Sequence, residues 1–309
     1  MTKSLEVWQL EKIISISNLT KDYGHGRGIF DFSFDVKAGE VFGFVGTNGS
    51  GKTTTIRNMM GFIKPEKGKI TINGYDCWKN AYEIKKSVGY IPGQIDFPDV
   101  GTGTNFLKIQ ADFLGIKDLT YMNKLIDMFK LDTDASLKRM SKGMKQKTAI
   151  VAAFMSEPDI LIMDEPSTGL DPMMRDKLIE LILEQKKKGK TIFMSSHIFK
   201  ELEDTCDRVA FIHNGEMIKT ISLSQFSERV DKQYRIGFAE KKEYEQFLKS
   251  NYEIISKNHK YNHLEIKIND SEINGLFKSL KPYNIRYMNY QPYTLEWYYT
   301  NMIETQEVQ

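Results

Sequence analysis

Gly46-Thr47-Asn48-Gly49-Ser50-Gly51-Lys52-Thr53-Thr54 is the stretch on which the fold turns. Two glycines flank four residues, and Lys and Thr follow, the pattern of a phosphate-binding loop. The apolar run Glu40-Val41-Phe42-Gly43-Phe44-Val45 stands before it and reads as a buried strand. Thr54 to Met60 follows it and reads as the start of a helix. Strand, loop and helix are the setting the motif needs. The glycines let backbone N–H groups turn inward around phosphate oxygens, and the helix N-terminus adds positive potential. Lys52 is then placed to reach the β- and γ-phosphates of a nucleotide, and the Thr53 hydroxyl to bind Mg²⁺.

A second element lies at 160–165. Ile160-Leu161-Ile162-Met163 is too short an apolar run for a helix, and Pro158 bounds it. It reads as a buried parallel strand. Asp164 and Glu165 stand at its C-terminal end, where open α/β sheets bind ligands. Asp164 is the candidate Mg²⁺ carboxylate, and Glu165 the candidate general base for an attacking water. The turn Pro166-Ser167-Thr168-Gly169-Leu170-Asp171 follows directly.

These two elements alone describe a P-loop ATPase. Met140-Ser141-Lys142-Gly143-Met144-Lys145-Gln146 narrows it. With it, residues 13–222 resemble the nucleotide-binding cassette of an ABC transporter, whose usual signature is Leu-Ser-Gly-Gly-Gln. Lys142 and Met144 depart from that form, while Ser141 and Gly143, which touch the γ-phosphate in the family, are kept. The Ser-Lys-Gly-Met variant resembles the branch that exports drugs, bacteriocins, peptides or lipids through separate membrane subunits. The resemblance implies an α/β P-loop ABC ATPase cassette with a RecA-like core, an antiparallel β subdomain and a helical subdomain. It also implies a head-to-tail pair of cassettes with two ATP molecules sandwiched between phosphate loop and signature. The physical logic agrees: Ser141 opens a helix, expected over Met144 to Phe154, and a helix N-terminus is an anion site.

Further positions follow the family order. Tyr23 stands where the family stacks an aromatic on adenine. Gly169-Leu170-Asp171 resembles the loop that speaks across the dimer. His197, after the apolar strand Thr191-Ile192-Phe193-Met194 and Ser195-Ser196, matches the histidine that bonds the γ-phosphate and orients water. A lone histidine is more often structural than catalytic; its place in this order reverses that expectation. One position differs. The family has Gln directly after Gly-Tyr-Ile-Pro, and here the run is Gly89-Tyr90-Ile91-Pro92-Gly93-Gln94. Either Gln94 serves one residue late as a Mg²⁺ ligand, or Gly93 fills the position; the alignment favours Gly93 and keeps Gln94 within reach.

Composition fits this reading. The chain has 309 residues, enough for about two domains, and 40% hydrophobic content, enough for a sizeable core. A net charge of +2 gives no nucleic-acid footprint. The two cysteines, Cys77 and Cys206, are far apart and in no metal spacing, which suits a reducing compartment. No run approaches the roughly 20 apolar residues of a membrane helix, and neither end carries a signal-peptide, myristoylation or prenylation pattern. The expectation is a peripheral subunit at the cytoplasmic face of the membrane, held there by a separate permease, with a second cassette as homodimer or heterodimer partner. A family member in DNA repair would need a long coiled-coil insertion between the ATP motifs, and one in translation would need two cassettes on one chain.

The expected organisation is an N-terminal extension over 1–12, the cassette over 13–222 with its helical subdomain at about 97–147, and a small α+β accessory domain over 223–309. In the cassette, 13–45 and 69–76 read as antiparallel strands around the phosphate loop. Past 222 the order reads β-α-β-α-β-α: strands Tyr234–Phe238, His263–Ile268 and Ile285–Tyr290, with helices Lys241–Leu248, Asp270–Leu280 and Thr294–Thr300. Its aromatic cluster around Tyr287, Tyr290, Tyr293 and Trp297 reads as core and domain interface.

Overall fold

The computed structural model describes residues 12–227, 231–291 and 293–307, so all but the last residue of the expected 1–12 extension lies outside the described residues. The chain divides into two compact units, the first ending at Leu223 and the second starting at Ser224.

In the first unit, the strands β1 (Lys12–Asp22), β2 (Gly28–Lys37), β4 (Lys67–Ile72) and β5 (Tyr75–Asp76) form an antiparallel sheet in the order β2-β1-β4-β5. β3 (Val41–Val45) departs from the expected grouping of residues 13–45. It pairs parallel with β8 (Thr191–Ser196) and β9 (Arg208–His213), with Val41 opposite Ile192. All five of its residues are buried, as a strand covered on both faces requires. The second sheet has the order β10-β9-β3-β8-β7-β6, where β6 is Val88–Ile91, β7 Ile160–Asp164 and β10 Glu216–Ser222. Only the β9–β10 pair is antiparallel.

Phenylalanines fill the space between these sheets. Phe34 of β2 stacks on Phe42 of β3 at 5.2 Å and on Phe193 of β8 at 5.9 Å. Each ring buried this way contributes about 2–3 kcal/mol, and the layer fixes β3 against the antiparallel sheet. Helices α1 (Lys52–Met59), α2 (Ala81–Ser87), α6 (Pro172–Lys187) and α7 (Phe199–Thr205) link the strands. The segment between β6 and β7 carries α3 (Gly103–Phe113), α4 (Thr120–Met128) and α5 (Lys142–Phe154). α5 begins at Lys142, two residues before the expected Met144, because the Ser141 side chain already accepts the Met144 N–H.

The second unit begins within α8 (Leu223–Ser227). Its strands β11 (Asp231–Phe238), β12 (Glu253–Asn258), β13 (His263–Asn269) and β14 (Ile285–Gln291) pair antiparallel in the order β12-β13-β11-β14. The helices are α9 (Lys241–Phe247), α10 (Ile273–Leu280) and α11 (Leu295–Glu307). The expected order lacked β12. With it, β11 to β14 run β-α-β-β-α-β, a split βαβ arrangement. The core of this unit gathers Ile236, Phe238, Tyr244, Phe247, Leu264 and Leu276. Of the aromatic cluster, Tyr299 is buried and Tyr293 packs on Trp297 at 4.6 Å, while Tyr290 is half exposed.

Candidate active site

The C-terminal ends of three neighbouring parallel strands, β3, β8 and β7, carry the phosphate loop, His197 and the Asp164–Glu165 pair. Parallel register makes these ends coincide: Val45 lies opposite Ser196, and Ser195 opposite Asp164. In a parallel sheet this edge is where ligands collect.

The loop is shaped by close packing. Gly51 caps α1 at φ 110°, and a Cβ there would lie 2.5 Å from Ile29 Cγ2, so only glycine fits. Gly46 is pressed against the Ile212 carbonyl, which again excludes a side chain. Asn48 and Gly49 form the turn between them, and the Ser50 backbone carbonyl accepts the Gly215 N–H at 3.0 Å. Lys52 is buried, and its Nζ donates to the Gly46 carbonyl at 2.8 Å and the Thr47 carbonyl at 3.1 Å. Burial lowers its pKa below the usual lysine value, and the carboxylates of Glu165 and Asp164 partly restore it. Thr54 follows on the first turn of α1, where its carbonyl accepts from Asn58 Nδ2.

Two carboxylates face this cradle in different settings. Asp164 is 1% exposed, with no cationic side chain within ion-pairing distance among the described residues. Its Oδ2 accepts from the Thr53 hydroxyl at 2.7 Å and its Oδ1 from the Ser195 hydroxyl at 2.6 Å. Glu165 leans outward. Its Oε1 lies 3.5 Å from Lys52 Nζ, and its Oε2 lies 3.1 Å from His197 Nδ1. The Thr168 hydroxyl donates to Oε2 at 3.4 Å. Glu165 holds φ at 49°, a left-handed backbone that costs a non-glycine residue about 1–2 kcal/mol.

Residues 29–168 match the model of the family described as ABC transporter. The chain is 36% identical over 223 residues to the bacitracin transport ATP-binding protein BcrA of Bacillus licheniformis, which spans 71% of this chain and 73% of that protein. It is 32% identical over 212 residues to the linearmycin resistance ATP-binding protein LnrL of Bacillus subtilis (strain 168), over 67% of this chain and 68% of that protein. This chain belongs to the ABC transporter ATP-binding family. Among solved structures, an ATP binding subunit of an ABC transporter is 33% identical with a TM-score of 0.64, covering 70% of this chain and 94% of that one. The chain is therefore a nucleotide-binding ABC ATPase cassette. Subunits of this family pair with one another and work with transmembrane subunits. Among the described residues of this one, no helix is long and apolar enough to cross a membrane.

The ABC signature does not join the cluster around Lys52. Ser141 is exposed, and its Oγ accepts the Met144 N–H of its own helix at 3.2 Å. α5 instead packs against the turn after Glu165. A Cβ on Gly143 would lie 2.8 Å from the Gly169 carbonyl, and Gln146 Nε2 donates to the Pro166 carbonyl at 2.7 Å. Asp171 caps α6, accepting the Met174 N–H at 2.9 Å. Tyr23 is 49% exposed, in the turn between β1 and β2, and the Gly28 that opens β2 packs against Gly51. At the position that differs from the family, Gly93 lies against the metal-site candidate: a Cβ there would lie 2.6 Å from Asp164 Oδ2. Gln94 lines a cleft with Met140, Lys142, Lys145 and Gln146, on the side of the signature.

A separate groove of about 310 Å³ runs beside α3. Phe97 and Phe106 meet in it at 4.6 Å between ring centroids, with Phe62, Tyr90 and Phe113 on its walls. Ser195 and Thr168 had no role in the sequence reading. For Ser195 a signal existed: a hydroxyl at the end of a buried strand needs a partner, and Asp164 is that partner.

Proposed function

We propose that this chain energises an exporter, hydrolysing ATP to drive a drug, peptide or lipid through a separate membrane subunit. One observation carries the chemistry. Lys52 and His197 engage the two oxygens of one carboxylate, Glu165, beside the Thr53–Asp164 pair. Phosphoryl transfer to water needs little covalent help, only positioning and charge.

In this reading Lys52 leaves Glu165 for the β- and γ-phosphates as ATP enters the cradle of residues 46–54. Glu165 then accepts a proton from the attacking water, whose oxygen bonds to the γ-phosphorus as the bond to the bridging oxygen breaks and ADP leaves. His197 orients Glu165 and the water. The donor set fits Mg²⁺: a buried carboxylate with no cation within ion-pairing distance among the described residues, beside a hydroxyl, both hard oxygens. Thr53 and Asp164 would hold the ion, with Gln94 in reserve, and it supplies charge neutralisation on the β- and γ-oxygens. Tyr23 is the surface for adenine. Ser141, exposed at the start of α5, and the partly buried Gly143 serve the γ-phosphate bound by a second cassette, with Asp171 beside that junction.

The transport part of the proposal rests on similar proteins named for bacitracin transport and linearmycin resistance, and on the apolar groove at Phe97 and Phe106 as the seat for a helix of the permease. Cell fractionation with and without the partner membrane protein tests it. The protein is expected in the membrane fraction only with the partner. Phe97→Ala with Phe106→Ala is expected to release it while ATP binding persists. Phe106 is buried, so Phe113→Ala, at a side chain 71% exposed, repeats the test without disturbing the core. Membrane association without any partner, or full association and transport in these variants, refutes the docking.

A further inference from the structure

We propose that Ser195 is a positioning residue of the ATPase site: its hydroxyl sets the Asp164 carboxylate for Mg²⁺ and holds the strained Glu165 backbone in its working conformation. The inference rests on the reading of Asp164 as the metal carboxylate.

Ser195 lies on β8, the strand between β3 and β7, and is 0% exposed. Its Oγ–H donates to Asp164 Oδ1 at 2.6 Å. The same Oγ accepts the Glu165 N–H at 3.1 Å, and the Ser195 carbonyl accepts that N–H at 3.1 Å as well. One residue thus grips both functional carboxylates, one through its side chain and one through its backbone. The two oxygens of Asp164 are divided between two hydroxyls: Ser195 takes Oδ1, on the side of β8, and Thr53 takes Oδ2, on the side of the phosphate loop. Without the Ser195 bond, only the Thr53 hydroxyl restrains the carboxylate about its terminal torsion, which is broad for aspartate. Its oxygens then no longer present one fixed lone pair toward the Thr53 side. The hydroxyl–carboxylate bond is also charge-assisted and buried, the setting in which such a bond orients most strongly.

Glu165 adds the second half. Its left-handed backbone is unfavourable for a side chain of this size and persists only where neighbours hold it. The paired acceptors of Ser195 on its N–H, and the Thr168 N–H on its carbonyl at 3.1 Å, are those neighbours. A glutamate released from this conformation would no longer stand between Lys52 and His197. Groups that orient a metal ligand in this way typically change metal affinity 10- to 100-fold when removed.

The test compares the parent with Ser195→Ala and Ser195→Thr in the full chain. A fluorescent ATP analogue is titrated in EDTA and then at increasing Mg²⁺, without turnover as the readout. Ser195→Ala is expected to match the parent in EDTA, since the phosphate cradle is untouched, and to need about tenfold more Mg²⁺ for half-maximal response. Ser195→Thr, which keeps the hydroxyl, is expected to restore the parental Mg²⁺ requirement. An Ala variant with the parental Mg²⁺ curve overturns the proposal, leaving Ser195 as packing alone. So does equal weakening with and without Mg²⁺, which places the effect on the fold. If the parent itself shows no response to Mg²⁺, the assignment of Asp164 fails and the inference falls with it.

Discussion

Replacing Glu165 by Gln separates the role proposed for the carboxylate, accepting a proton, from the one the structure shows, pairing with Lys52. The loss of the proton acceptor acts on turnover. A positioned general base contributes roughly 10²–10⁴ in rate, or about 3–5 kcal/mol of barrier, so hydrolysis is expected to fall by that factor. The loss of the charge acts on binding, and in the opposite direction. Glu165 Oε1 lies 3.5 Å from Lys52 Nζ. At an effective dielectric near 20, unit charges at that separation attract by about 5 kcal/mol, and in bulk water by about 1 kcal/mol. The Lys52 side chain is 5% exposed and that of Glu165 is 23% exposed, so the pair stands between these limits, and its desolvation offsets much of the gain. An arriving phosphate must displace this carboxylate and then stand near its charge. Glutamine keeps the shape and removes both obstacles. ATP affinity is therefore expected to stay level or to tighten by up to about tenfold, equivalent to 1.4 kcal/mol. The assay is an equilibrium titration with ATP and Mg²⁺ beside phosphate release at saturating ATP. Hydrolysis within threefold of the parent refutes the role of Glu165 as base. A tenfold or greater loss of affinity refutes the competition between carboxylate and phosphate for Lys52.

Three further outcomes follow, one from the site and two from the buried thiols. Ser141→Arg and Lys52→Ala are each expected to be inactive alone and to regain partial hydrolysis when mixed, since a mixed pair has one interface with an intact Lys52 and an intact Ser141; full activity of Ser141→Arg by itself rules out assembly in trans. Burial pushes the thiols of Cys77 and Cys206 up to about 12, so neither is expected to react with iodoacetamide at pH 8 until guanidinium unfolds the chain, as read by mass spectrometry. Because both folded values lie above the unfolded value near 9, the stability they contribute is complete below pH 9 and is lost as pH rises toward 12.

How much of this was legible in the sequence depended on distance along the chain. The strand, loop and helix around Lys52 are consecutive, so their pattern is complete within twenty residues. Asp164 and Glu165 were legible for the same reason, at the end of a short apolar strand. The sheet to which Val41–Val45 belongs was not, because its partners at Thr191–Ser196 and Arg208–His213 lie some 150 residues away, and a fully apolar run carries no face preference to reveal them. Glu253–Asn258 was missed for the opposite reason. It is an edge strand, mostly exposed, in which only Ile254 and Asn258 are even partly covered. An edge strand with so little burial has almost no period-2 signal to read. Ser195 could be seen as a polar residue in a buried strand, but its partner came only from the register between β7 and β8.

The placement of the signature also bears on how two nucleotide sites communicate. Ser141 faces outward at the head of α5, while the same helix is tied to the turn beside Glu165, the proposed general base. Gln146 is 3% exposed, and the hydrogen bond its Nε2 donates to the Pro166 carbonyl spans only 2.7 Å. Gly143 has no Cβ because the Gly169 carbonyl occupies that space, and the Lys142 stem packs on Gly169 from the other side. Pro166 is covalently next to Glu165. A shift of α5 must therefore either carry the 166–169 turn with it or break a buried hydrogen bond, which costs about 1–3 kcal/mol. For displacements of a few tenths of an ångström the first alternative is cheaper. The tie runs through packed backbone and one buried side chain, a physical link of the kind coupling requires, and it joins the surface proposed for a partner's nucleotide to the carboxylate proposed to act on the chain's own.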